Sequence, residues 1–80
     1  MNDFDTEIDQ QHKAAQAAED RAVAVIERMR RIGGLTTLVD LMPRRFGQPP
    51  NPYSAGSRNL TAAGLLERHD PALAQHLATL

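Results

Sequence analysis

Few side chains of this 80-residue chain have the types and spacing that catalysis or metal binding requires. The three histidines, His12, His69 and His76, do not stand at a metal-ligand spacing from one another, and the chain has no cysteine. Ser54 and Ser57 lie in a proline-rich stretch, with no base placed to activate either hydroxyl. We therefore predict a non-enzymatic protein that needs no cofactor and no metal.

Charged residues are segregated along the chain, although the net charge is only −1. Residues 1–20 carry six acids against Lys13, whereas residues 21–58 carry seven arginines against two acids. Arginine makes bidentate contacts to carboxylates and phosphates that lysine cannot make. Because the chain as a whole is slightly acidic and its arginines are not interleaved with aromatics, nucleic acid is disfavoured as a partner and proteins are favoured.

The composition allows one small domain with a limited core. The only aromatic residues are Phe4, Phe46 and Tyr53, and much of the apolar fraction is alanine. A domain of this size is close to the stability margin unless a partner helps, so we expect a homo-oligomer or docking on another protein. No segment approaches the roughly 20 apolar residues of a membrane span, and the start of the chain lacks a signal-peptide pattern. We expect no membrane association.

The pattern of helix formers and breakers predicts an all-α fold in four segments. These are a long amphipathic helix (1–33), a short hydrophobic helix (34–42), an extended proline-rich arm (43–58) and a kinked C-terminal helix pair for docking (59–80).

The long helix carries a heptad pattern of mostly apolar residues. Its middle is alanine, which permits close helix approach, and Gln11 is the one polar member. The candidate self-association residues are Phe4, Ile8, Ala15, Ala18, Ala22, Val25, Met29 and Ile32. The pattern fits an amphipathic helix packed on its own chain and an intermolecular pair equally well. If a pair forms, the acidic start and the basic end of the helix predict an antiparallel one.

The short helix and the arm are predicted from residues that begin, end or exclude a helix. Thr37, followed three residues later by Asp40, resembles a capping box, and Pro43 ends the helix. Four prolines and two glycines in 43–58 predict an extended arm with polyproline-II character, which Phe46 and Tyr53 anchor to a partner. We expect proteases to cleave this arm in the free protein.

The C-terminal segment contains two helix starts. Asn59 or Thr61 caps the first helix, and Asp70-Pro71 begins the second. The candidate protein-binding residues of the arm and this segment are Arg44, Arg45, Phe46, Tyr53, Leu65, Leu66, Leu73 and Leu77.

Three short motifs follow one another in the last thirty residues. Asn51-Pro52-Tyr53, then Asn59-Leu60-Thr61, then Asp70-Pro71-Ala72-Leu73-Ala74 resembles a tail found in small proteins of tailed bacteriophages and prophages. The resemblance implies a virion or assembly component that docks on phage structural proteins. The alternative that it implies is a small inhibitor or regulator that binds a host protein. Either would act in the cytoplasm of the bacterial host, and the first would also enter the virion.

Overall fold

The structure is a computed structural model that describes the backbone of residues 3–80 and the side chains of residues 10–80. Within these residues it consists of helices joined by turns and loops, without a strand: α1 (Asp3–Arg30), α2 (Leu35–Leu41), α3 (Leu60–His69) and α4 (Pro71–Ala78). The predicted all-α fold class is confirmed. None of these helices, over the part of the chain described, combines the length and the apolar character needed to cross a membrane.

A glycine turn connects α1 to α2. Gly34 has φ of +86°, a conformation that costs a residue with a Cβ about 1–2 kcal/mol. Gly34 is also the N-cap of α2, which begins at Leu35 without a side-chain cap. The capping box predicted at Thr37 and Asp40 is therefore wrong, since both residues lie inside the helix. Asp40 instead accepts a hydrogen bond from Nη2 of Arg30 at 2.6 Å, which ties α2 to the end of α1.

Side-chain caps position the two C-terminal helices. Asn59 is the cap of α3, and its Oδ1 accepts a hydrogen bond from the Ala62 N–H at 3.0 Å. Asp70 alone separates α3 from α4, and its Oδ1 accepts from the Leu73 N–H at 3.2 Å. Pro71 takes the first helical position, where the missing N–H has no intrahelical partner to lose. The two helices pack against each other across this one-residue connection.

The core lies where the end of α1 meets α2, α3 and α4. Met29, Leu35, Leu66 and Leu77 are completely buried. The remaining members of the cluster are Ile32, Val39, Met42, Ala62, Leu73 and Ala74. A core of this size suits a chain of 80 residues and leaves most of the described part of α1 outside it.

The first half of α1 projects from this helical body. Every described position from 10 to 17 is exposed, whereas Ala22 and Met29 further along the helix are buried. The molecule is accordingly elongated, with extents of 53 × 24 × 21 Å. The heptad pattern allowed α1 either to pack on its own chain or to pair with a second molecule. The second half of α1 packs on its own chain.

Candidate interaction surface

The proline-rich loop (residues 43–58) packs on its own helical body. Pro50 and Pro52 are among the most completely buried side chains of the molecule, and Asn51 between them is only 8% exposed. Backbone hydrogen bonds within the loop include those from Ser54 N–H to the Asn51 carbonyl and from Ser57 N–H to the Ser54 carbonyl. The expectation of an extended arm held only by a partner is not confirmed, because the chain itself provides the surface on which this segment lies.

Asn51 joins the loop to the last helix. Its Nδ2 donates to the carbonyl of Leu77 in α4 at 2.7 Å, and its Oδ1 accepts from the Tyr53 N–H at 2.9 Å. Its own carbonyl accepts from the Ser57 hydroxyl at 2.7 Å. The buried amide of Asn51 therefore holds the loop to α4 and also shapes the turn that follows. These bonds give its polar atoms the hydrogen-bond partners that burial requires.

Glu19 joins the other end of the loop to α1. Its carboxylate forms a bidentate ion pair with Arg44 and also accepts a hydrogen bond from the Gly47 N–H at 2.8 Å. Gly47 has φ of +83°, and a Cβ built on it would lie 3.4 Å from the Cβ of Ala18. The loop backbone therefore lies directly against α1, where glycine is the residue that fits.

These bonds change the acidity of Glu19. The Arg44 hydrogen bond, assisted by the Gly47 N–H, lowers the pKa of Glu19 from 4.5 to about 2. Asp70 is held in the same way: Arg28 donates two hydrogen bonds of 2.6 Å to its carboxylate and lowers its pKa below the usual range. In the folded protein both carboxylates stay ionised to lower pH than in the unfolded chain.

The first prediction concerns acid. Because the folded-state pKa values of Glu19 and Asp70 are depressed, their contribution is present in full above the unfolded values and is lost as pH falls from about 5 toward 2. We expect the urea midpoint of the natural protein to fall across this range.

At pH 7, Glu19→Gln should have a lower free energy of unfolding than the natural protein, and this difference should narrow at pH 3. Glu27, an exposed acid of α1 in no ion pair among the described residues, supplies the control: Glu27→Gln should keep the natural pH dependence. An equal gap for Glu19→Gln at both pH values would contradict the assignment.

A cleft of about 770 Å³ is lined by residues of the loop and by Leu80. We refer to it as the loop cleft. Arg44 and Arg45 both line it, and no acidic residue does. Leu80 is 69% exposed. Phe46, which is 66% exposed, lies between two lining residues in the sequence, and the 74% exposed Leu41 precedes the loop by two positions. The loop cleft thus combines polar walls and arginines with the exposed apolar side chain of Leu80, and the exposed Phe46 follows Arg45 in the sequence.

The predicted protein-binding residues divide into three groups. Phe46 and Arg45 are exposed, as docking requires. Arg44 is engaged with Glu19, and the half-buried Tyr53 donates its hydroxyl to Glu67 at 3.1 Å. The others lie in α3 and α4: Leu65 is half-buried against the core, and Leu66, Leu73 and Leu77 are in it. These last three cannot be docking residues, because their side chains are already covered by the chain's own helices.

The predicted self-association residues are divided as well. Ala15 is exposed, Ala18 and Val25 are half-buried, and Ala22, Met29 and Ile32 are buried. Phe4 and Ile8 lie outside the described side chains. The antiparallel pair that would bring Phe4 and Ile8 against Met29 and Ile32 is incompatible with this packing, because Met29 and Ile32 are already enclosed.

Four residues in or beside this surface were not predicted from the sequence: Glu19, Gly47, Asn51 and Leu80. Glu19 pairs with an arginine 25 positions away, so no local spacing in the sequence indicates this ion pair. Gly47 was one of several isolated glycines in the sequence. Asn51 carried a signal, since it begins the Asn-Pro-aromatic motif, but the motif did not reveal that its amide is buried.

The described side chains do not bring three His, Asp or Glu residues together as metal ligands. The chemistry of the loop cleft suits binding, because the cleft offers two guanidinium groups, amide and hydroxyl groups, and apolar groups at its rim. In comparisons with models of known protein families, with curated proteins and with solved structures, nothing matches this chain.

Proposed function

We propose that this chain is a non-enzymatic protein-interaction module that docks on other proteins through the loop cleft and its rim. The observation that supports this function is the exposure of two large apolar side chains: Leu80, which lines the loop cleft, and Phe46, whose two neighbours in the sequence line it. Exposed apolar residues gathered at one place, rather than scattered singly, are typical of a protein-binding site. Aromatic and arginine side chains are also the residues most enriched at the centres of interfaces.

The packing of the loop supports a preformed docking surface. The Glu19–Arg44 ion pair holds the start of the loop to α1 and Asn51 holds its middle to α4, so the backbone around Phe46 is ordered before any partner arrives. Less conformational entropy is lost when a binding surface is already ordered. Phe46 and Arg45 are the residues that we assign to partner contact.

The resemblance of residues 51–77 to phage-protein tails makes a virion or assembly component the favoured role, with another phage structural protein as the partner. The protein would act in the bacterial cytoplasm and be incorporated in the virion. A phage-encoded inhibitor or regulator of a host protein uses the same surface and is the second candidate. Gene neighbourhood separates them, since capsid and portal genes favour the first and early or repressor-adjacent genes the second.

A photo-crosslinking amino acid at position 46 tests the proposal. Position 60 is the matched control, because Leu60 is also apolar and 81% exposed but, unlike Phe46, has no sequence neighbour that lines the loop cleft. We expect position 46 to give one defined crosslinked protein from phage particles or bacterial lysate and position 60 to give none. A phage structural protein at position 46 supports the first role and a host protein the second. No crosslink at position 46, or the same products from both positions, would contradict docking through the loop cleft.

A further inference from the structure

The loop cleft has a surplus of positive charge. The loop contains Arg44, Arg45 and Arg58 and no acidic residue. Arg44 is neutralised by Glu19, but Arg45 and Arg58 are exposed and form no ion pair with any described side chain. Arg45 lines the cleft directly, and Arg58 follows the lining residue Ser57. An occupant that brings carboxylates beside apolar groups therefore matches this surface in charge and in polarity.

The chain itself contains a segment of that chemistry at the other end of the molecule. Residues 3–9, the first turns of α1, carry four acids and no basic residue, together with Phe4 and Ile8. Residues 10–80 hold the nine basic residues against only six acids. The near-zero net charge thus conceals an acidic tip of α1, residues 3–9, and a basic body.

A copy cannot place this tip in its own loop cleft. Glu19 of α1 contacts the loop through Arg44 and Gly47, and the tip lies ten to sixteen residues earlier on the same helix. At 1.5 Å per residue this places the tip about 15–24 Å from Glu19 along a straight rod. Positions 10–17, which lie between the tip and Glu19 on this helix, are exposed.

We propose that the loop cleft of one copy binds the acidic tip of α1 of a second copy. This inference rests on the proposed function, since it names a partner for the same surface. Arg45 and Arg58 face the carboxylates of the incoming tip, while Phe46 and Leu80 cover its apolar residues. Two copies that exchange tips form a closed dimer, and copies joined in succession form a ring or an open filament. Both arrangements replace the antiparallel α1 pair, which the burial of Met29 and Ile32 prevents.

Charge-swap variants of the full-length protein test this contact by sedimentation over a wide concentration range. We expect the natural protein to self-associate, and Arg45→Glu with Arg58→Glu to weaken association at least about tenfold, because like charges then face each other. Asp5→Lys with Asp9→Lys should weaken it similarly. Mixing the two variants should restore association, since each then supplies the complement of the other. Arg45 and Arg58 are exposed and unpaired among the described side chains, so their reversal should leave the fold intact. Circular dichroism checks the fold of both variants.

The control is Arg31→Glu with Arg68→Glu, which reverses two exposed arginines that do not line the loop cleft. It should associate as the natural protein does. A monomer at every concentration, association insensitive to the Arg45 and Arg58 reversals, or a mixture of the two variants that does not associate would overturn the inference. If the natural protein is monomeric while position 46 still crosslinks to a different protein, the proposed function stands and only the self-recognition fails.

Discussion

Leu66→Ala is expected to remove a large part of the stability of the fold. Leu66 is completely buried in α3, within the cluster that also contains Val39 of α2 and Leu77 of α4. Truncating a buried leucine costs about 2–5 kcal/mol, from lost burial and from the cavity that remains. At about 0.05–0.15 kcal/mol per residue, the whole domain has on the order of 4–12 kcal/mol of unfolding free energy. One substitution therefore removes a substantial fraction of it.

Urea unfolding followed by circular dichroism measures this effect as a lower midpoint with an unchanged slope. Leu60→Ala is the matched control on the same helix, because Leu60 is 81% exposed, and we expect its effect to stay within about 0.5 kcal/mol. Equal, small effects of the two substitutions would show that α3 does not face the core through Leu66.

The helices could be predicted from the sequence because their signals are local. Asn59 and Asp70-Pro71 mark the two C-terminal helix starts, and the glycine pair after α1 marks its end. The capping box at Thr37 failed because a second local feature, the left-handed turn at Gly34, places the N-cap of α2 three residues earlier. Between two local signals of similar strength, the one that also buries Leu35 and Val39 prevails.

The use of the α1 seam could not be predicted from its spacing. A 4-3 apolar repeat describes the face of a helix and does not indicate whether its own chain or another covers that face. Here the chain covers Ala22 and Met29 on this face and leaves Ala15 exposed. The loop was misjudged for a related reason. Its anchors are Asn51 to Leu77 and Arg44 to Glu19, pairs that are 26 and 25 residues apart.

Asn51→Ala is expected to release the proline-rich loop. The substitution removes the bond to the Leu77 carbonyl and the one that Tyr53 N–H donates, and it leaves that N–H without its partner. Losing a buried partner of this kind costs about 1–3 kcal/mol. The loss falls on the loop itself, because α4 keeps its backbone bonds from Thr79 and Leu80 to its last turns. Local opening of residues 43–58 should therefore become more frequent than global unfolding.

Native-state proteolysis with chymotrypsin reports that opening at Tyr53, a half-buried cleavage site within the loop. Whereas an extended free arm would be cut readily, the burial of Pro50, Asn51 and Pro52 predicts that the natural loop resists. Cleavage that follows the open population should accelerate roughly five- to 150-fold in Asn51→Ala, at 1.4 kcal/mol per factor of ten. Ser54→Ala, an exposed loop position with no side-chain hydrogen bond among those described, should be cut at the natural rate. Equal cleavage rates for the natural protein and Asn51→Ala would show that Asn51 does not hold the loop to α4. If both are cut readily, Phe46 is presented on a mobile arm that the partner must order.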